Sequence, residues 1–88
     1  MSTEYLSFLD TPPAADRVTD YDLQHRITYL RLLDADAEGA SWEEVASVIF
    51  GLDLDENYER AKRVHRAHLD RALWMTRVGY RDLLHNET

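Results

Sequence analysis

Residues 39–44, GASWEE, end one helix and begin the next, and they decide the fold. Gly39 suits the left-handed backbone at a helix C-terminus, because glycine adopts that conformation without steric cost. Ser41 and Glu44 have the spacing of a capping box, in which the hydroxyl and the carboxylate each bond a backbone amide of the first turn. We therefore predict a short helix of about ten residues after Ser41 and a longer helix before Gly39.

Other predicted helix caps and helix-ending glycines extend this outline to the whole chain. Thr19 is the predicted N-cap of the first helix, and Gly51 and Gly79 end the second and third. The third helix is predicted from about Glu56 to Val78. A short C-terminal turn should follow at residues 80–84. The sequence thus predicts an all-α, three-helix, helix-turn-helix-like domain over residues 19–88, preceded by an N-terminal arm and linker over residues 1–18.

Helical periodicity predicts which side chains face the core. In the first helix one apolar stripe recurs at three and four residues, and it comprises Leu23, Ile27, Leu30, Leu33 and Ala37. Tyr21 and Leu32 fall on the opposite side, which we expect to meet the arm or a partner. The predicted inner face of the third helix comprises Ala61, Val64, His65, His68, Leu69, Ala72 and Met75.

Composition excludes several classes of protein. The 88 residues suit one domain, and the absence of cysteine rules out disulfides and thiolate metal sites. No signal peptide or membrane-length apolar run is present, so we expect a cytoplasmic protein. His65 and His68 lie one turn apart but lack further ligands, and no catalytic or phosphate-binding motif occurs. We therefore expect no metal, no cofactor and no enzymatic activity.

Charge is distributed unevenly along a chain of net charge −7. Residues 41–57 hold five acids and no base, whereas residues 58–88 hold seven bases and four acids. A recognition helix usually meets base edges with the residues near its start. The third helix has bases that favour DNA binding, and they are Arg60, Lys62, Arg63, Arg66, Arg71 and Arg77. Its start, however, carries Asp53, Asp55, Glu56 and Glu59, which would face phosphates. This arrangement argues against direct DNA binding and favours a basic protein partner.

Trp74 indicates the candidate contact surface. Tryptophan beside arginine is typical of interface hot spots. An equal alternative is that the aromatic residues of the N-terminal arm cover Trp74 and form a second small core. The predicted partner-binding set lies on the outer face of the third helix and at its acidic entry, and it comprises Asp53, Asp55, Glu56, Arg60, Arg63, Ala67, Asp70, Arg71 and Trp74.

Four segments carry a resemblance to a known family. They are residues 29–34 (YLRLLD), 38–46 (EGASWEEVA), 68–76 (HLDRALWMT) and 79–84 (GYRDLL). Together they resemble a proteobacterial family of helix-turn-helix-like domains, catalogued as domain of unknown function 2285, over roughly residues 20–84. Members of that family occur in proteins that govern conjugative transfer of integrative elements.

The resemblance implies a function in transcription regulation. A small, free-standing, acidic chain is similar to the antiactivator branch, which sequesters a quorum-sensing regulator of the LuxR or TraR type and a fused activator of the FseA kind. The first hypothesis is therefore an antiactivator that represses conjugative transfer. The alternatives are a small helix-turn-helix DNA-binding regulator and a structural subunit of a transfer complex.

Overall fold

The computed structural model describes residues 7–79, and these residues form helices without any strand. The helices are α1 (Asp20–Gln24), α2 (Arg26–Ala37), α3 (Trp42–Phe50) and α4 (Leu54–Trp74), followed by a π-helical turn at Met75–Gly79. α3 and α4 form the helix-turn-helix pair, and α2 packs against both. The predicted all-α, helix-turn-helix-like fold is confirmed. The predicted turn at residues 80–84 lies outside the described part of the chain.

Local capping explains where the helices begin and end. The Thr19 hydroxyl accepts the amide proton of Asp22, whose carboxylate accepts the Thr19 amide proton in return, so the full capping box starts α1. At α3 the Ser41 hydroxyl accepts the amide proton of Glu44. Gly39 and Gly51 both have left-handed backbone angles, with φ of 78° and 66°. The helix ends predicted from these two glycines are confirmed.

The first predicted helix is two helices that meet at His25. There the backbone leaves helical geometry, with φ −107° and ψ 17°. The His25 ring is buried, and its two nitrogens lie 2.9 Å from the Tyr21 carbonyl oxygen and 2.8 Å from the Ser7 carbonyl oxygen. The bend therefore coincides with a residue that ties the N-terminal arm to α1.

The predicted core face of α1 and α2 is wrong. Leu23, Ile27 and Leu30 are exposed, and of the predicted stripe Leu33 alone packs against the core. Tyr29 and Leu32 are buried instead. Apolar residues lie on both sides of this segment, so periodicity alone does not select the inner one. The inner side is set by the polar side chains that are buried in α1 and at its junction with α2, which are Asp22 and His25.

A buried ion pair between Asp22 and Arg71 joins α1 to the last turn of α4. Arg71 Nε donates to Asp22 Oδ1 at 3.0 Å, and Arg71 Nη2 donates to Asp22 Oδ2 at 2.7 Å. The Tyr29 hydroxyl also donates to Oδ1, at 2.8 Å. Burial by itself raises the pKa of Asp22, but the hydrogen bonds from Arg71, Thr19 and Tyr29 outweigh it and hold that pKa below its usual value.

Arg71 also anchors the N-terminal arm to α4. Its Nη1 donates to the Ala15 carbonyl oxygen at 2.7 Å, and its Nη2 donates to the Arg17 carbonyl oxygen at 2.9 Å. The guanidinium carbon lies 3.9 Å from the centroid of the Trp74 ring. The three guanidinium nitrogens of Arg71 thus make four hydrogen bonds, to both Asp22 carboxylate oxygens and to two carbonyl groups, as a buried charge requires.

The inner face predicted for the third helix is confirmed except at His65, which is half-buried and lines an open groove. Ala61, Val64, His68 and Ala72 are fully buried, and Leu69 and Met75 pack against the core. Other core residues come from α2, α3 and the connector, and they are Tyr29, Leu32, Val45, Ala46, Phe50 and Leu52. Among residues 7–79, no helix is both long enough and apolar enough to cross a bilayer.

The arm docks on this core through a chain of polar and aromatic contacts. Phe8 meets the edge of Phe50, with 5.0 Å between ring centroids. The Leu9 amide donates to the Tyr21 hydroxyl, which lies 2.6 Å from His68 Nε2. Burial lowers the pKa of His68, so a neutral ring accepts the Tyr21 proton at Nε2 and donates from Nδ1 to the Val64 carbonyl at 2.8 Å.

α4 begins with a separate first turn. Asp53 is the N-cap, and its carboxylate accepts the Asp55 amide proton at 2.9 Å. At Asn57 the backbone departs from helical geometry, with φ −130° and ψ 37°, and the long straight part of the helix follows. The helix thus starts two residues before the predicted Glu56. Its last predicted turn, to Val78, is π-helical.

We expect Arg71→Met to lower the free energy of unfolding by about 3–5 kcal/mol, because it leaves the Asp22 carboxylate buried without its cation. Urea denaturation followed by circular dichroism measures this. Arg63→Met, which removes an exposed arginine from the same helix, should change stability by less than about 0.5 kcal/mol. Equal stability of the two variants would show that the ion pair does not hold the fold together.

We expect Asp53→Ala to cost about 1 kcal/mol in the free energy of unfolding, because the first turn of α4 loses its side-chain cap. Asp53→Ser removes the same charge but keeps a capping oxygen, so it should retain near-wild-type stability. Thermal and urea unfolding of the two variants separate capping from charge. If Asp53→Ser is as destabilised as Asp53→Ala, capping is not the role of this carboxylate.

Candidate functional site

The straight part of α4 carries the densest group of cations in the described chain. After Asn57 the helix reads Tyr58, Glu59 and then residues 60–66, RAKRVHR, which hold four bases and no acid. Asn57 separates this straight helix from the first turn, so its opening turns hold one acid, Glu59, and four bases. The acidic start that the sequence suggested is present, and the bases follow it beyond the kink at Asn57.

One side of this straight helix is open to solvent. Lys62, Arg63 and Arg66 are exposed there, together with Tyr58 near its beginning. We call these four residues the basic face. Lys62 lies four residues from both Tyr58 and Arg66, so these side chains are neighbours on the helix surface. The Tyr58 ring meets the edge of Trp42 from α3, with 5.2 Å between centroids, which connects the face to the first helix of the pair.

A shallow groove runs beside the basic face. Its volume is about 540 Å³, and its lining includes Lys62, Arg66 and His65 from α4 and Trp42 from α3. The carboxylates of Asp36, Glu59 and Asp70 also line it. Burial lowers the pKa of His65, so this ring is neutral at neutral pH. Arg66 Nε lies 3.7 Å from Asp70 Oδ2, a loose pair between two largely exposed side chains. Such a pair contributes little and leaves Arg66 able to meet another anion.

The three acidic residues of the predicted site lie together before the kink. Asp53, Asp55 and Glu56 are all exposed. Asp53 caps the helix, and the other two occupy the first turn, where the helix dipole favours negative charge. Capping and the helix dipole therefore explain why these three acids lie at the start of α4, and no protein partner is needed to explain them.

Two predicted arginines are held by the N-terminal arm. Arg60 Nε lies 2.9 Å from Asp10 Oδ1, and the Arg60 guanidinium stands 5.7 Å from the centroid of the Phe8 ring. Arg63 Nη2 lies 3.9 Å from Asp10 Oδ2 and stays mostly in solvent. The arm therefore covers one flank of α4 and partly neutralises these two cations.

The rest of the predicted outer face lies on that same covered flank. Arg71 is only 9% exposed and is engaged by Asp22, so its assignment to an exposed contact surface is wrong. Trp74 and Ala67 are half-buried and line a cleft shared with Pro12 and Pro13 of the arm. The arm thus approaches Trp74 through its prolines. Asp70 alone of this group is fully open to solvent.

The predicted contact set left out Tyr58, Lys62 and Arg66, although Lys62 and Arg66 were counted among the bases that favour DNA binding. At about 100° per residue, Lys62 and Arg66 lie roughly 120° and 160° from His68 around the helix axis, on the outer side that also carries Glu59 and Asp70, whereas Tyr58 lies only about 80° from His68. The predicted contact set was centred instead about a quarter of a turn away, on the flank that the arm covers. That covering depends on contacts between residues distant along the chain, such as Asp10 and Arg60, which are 50 positions apart.

Comparison with known proteins assigns the family. No curated protein matches the chain. The model of the family RovC_DNA-bd, described as "T6SS, Transcription factor, DNA binding domain", matches residues 4–85. This finding corrects the resemblance to domain of unknown function 2285 and to its small antiactivators.

The match also overturns the expectation about partners. The sequence argued against direct DNA binding and for LuxR- or TraR-type and FseA-like protein partners, whereas the matching family is described as a DNA-binding domain. Of the hypotheses drawn from the sequence, the small DNA-binding regulator is the one this match favours. The antiactivator hypothesis finds no support in it. Because the match spans nearly the whole chain, the protein belongs to the RovC family of transcription-factor DNA-binding domains.

Proposed function

We propose that this chain is a DNA-binding domain of a transcription regulator and that the basic face of α4 meets the DNA backbone. The observation that carries this proposal is the family match over residues 4–85. The structure supports it with a helix-turn-helix pair whose second helix presents Lys62, Arg63 and Arg66 to solvent.

The dimensions of α4 suit this function. From Tyr58 to Trp74 the straight helix is roughly 25 Å long at 1.5 Å per residue. The major groove of B-DNA, about 12 Å wide, admits one α-helix. In a helix-turn-helix protein the second helix enters that groove while the first crosses the backbone. The contact of Tyr58 with Trp42 holds α3 beside the entering end of α4.

Local charge decides whether an acidic protein can approach DNA. The net charge is −7, but salt screens charges separated by more than about 10 Å at 0.1 M ionic strength. Arg66 lies ten residues after Glu56, roughly 15 Å along the helix axis. Phosphates near Arg66 therefore respond mainly to the charges around it, which are the cations of Lys62 and Arg63 and the carboxylates of Glu59 and Asp70. We expect weak binding at high salt and a steep gain in affinity as salt falls.

Substitution of Lys62 and Arg66 tests most directly whether the basic face contacts phosphates. Asp10 already pairs with Arg60 and approaches Arg63, so those two cations have less to offer a phosphate. Lys62 has no such competitor among the salt bridges of residues 7–79, and Arg66 has only the loose contact with Asp70. Both side chains are exposed, so alanine at either position leaves the core intact.

We expect the Lys62→Ala, Arg66→Ala double variant to bind a mixed-sequence 20-base-pair duplex more weakly than the wild type. Each lost phosphate contact lowers the slope of log K against log salt concentration by about 1, so the slope should fall by about 2. Fluorescence anisotropy across a salt series measures both quantities.

The matched control is Arg17→Ala, Arg31→Ala, which removes two exposed cations from outside α4. This variant should keep the wild-type slope. The proposed function fails if the wild type does not bind the duplex even at about 50 mM salt. The assignment of the basic face fails if the control loses as much slope as the Lys62, Arg66 variant.

A further inference from the structure

An apolar surface on α2 is not used by the proposed function. Ile27 is 62% exposed and Leu30 is 57% exposed, although both are large apolar side chains. They lie three residues apart on the side of α2 that faces away from the core. Leu33, three residues further on, is partly buried at the edge of the same surface. Single exposed apolar residues are common, but a contiguous group indicates an interface.

A groove beside α2 extends this surface. Its volume is about 370 Å³, and its lining is mainly apolar, with Leu30, Leu33 and Met75 among the apolar residues and Arg26 and Thr76 as the polar ones. Leu30 therefore stands at the rim of a depression into which an apolar side chain can fit. A protruding leucine beside a recess is what two identical surfaces need in order to interlock about a two-fold axis.

The charges on the same side of α2 are arranged symmetrically about Leu30. Arg26 lies four residues before Leu30 and Asp34 four residues after it, so each stands roughly 6 Å away along the axis. Both side chains are exposed, and within residues 7–79 neither forms an ion pair. In an antiparallel pair of α2 helices centred on Leu30, Arg26 of each copy lies level with Asp34 of the other.

We propose that the α2 surface binds a second copy of this chain, with the two α2 helices antiparallel and a two-fold axis at Leu30. Ile27 of each copy then lies level with Leu33 of the other, and two Arg26–Asp34 pairs flank the apolar contact. A parallel pair is disfavoured because it places Arg26 against Arg26 and Asp34 against Asp34. This inference does not rest on the proposed function, since the α2 surface shares no residue with the basic face.

Sedimentation equilibrium over a range of protein concentrations tests the proposal. The wild type should be a dimer, and Leu30→Glu should be a monomer with an unchanged circular dichroism spectrum, because Leu30 does not support the core. Val48→Glu is the matched control, since Val48 is an equally exposed apolar residue on α3, and this variant should remain dimeric. A monomeric wild type at about 1 mM protein, or a dimeric Leu30→Glu variant, overturns the proposal.

A charge swap tests the antiparallel register. Arg26→Asp and Asp34→Arg should each weaken the dimer by about tenfold or more, because each replaces two attractive pairs with two repulsive ones. The double variant restores opposite charges at both pairs, so its dissociation constant should return to within about threefold of the wild-type value. If the double variant is as weak as the single variants, the register is wrong and the proposal falls.

Discussion

The buried pair of Asp22 and Arg71 constrains the whole described structure. It links α1 to the last turns of α4, and through the Tyr29 hydroxyl it reaches α2. Two buried charges are tolerated only when every hydrogen-bonding position around them is filled. Filling those positions requires the side of α1 and α2 that carries Asp22 and Tyr29 to turn inward. The apolar stripe predicted to be inside is thereby turned to the outside.

Features set by neighbouring residues could be predicted from the sequence. The caps at Thr19 and Ser41 and the helix ends at Gly39 and Gly51 depend on contacts within a few residues, and all four are present. The structure shows the hydroxyl half of the capping box predicted at Ser41, whereas the full box is at Thr19. The inward face of α2 depends on Arg71, which lies 49 residues after Asp22. No periodicity within α2 carries that information. The inner face of α4 was predictable because its buried positions follow one helical period and its opposite side is charged.

The candidate site shows the same division between local and distant causes. The acidic residues before Asn57 were visible in the sequence, but the bend that separates them from the long helix was not, since one asparagine lowers helix propensity only modestly and does not by itself mark a break. Without that bend, the acids and the bases belong to one continuous helix. With it, the cations between residues 60 and 66 lie in the first turns of a separate straight helix, after Glu59. Net charge was a poor guide because the acids that produce it are distributed over other elements.

The position of the N-terminal arm has a practical consequence for defining the minimal folding unit. Segments before the first helix supply Phe8 to the core, Asp10 to Arg60, and the Ala15 and Arg17 carbonyl oxygens to Arg71. A truncated fragment that begins at the first helix keeps every helix but leaves the Arg71 guanidinium short of two acceptors. A domain defined by its helix ends alone is therefore too short. A fragment that keeps all of these contacts has to begin at or before residue 8.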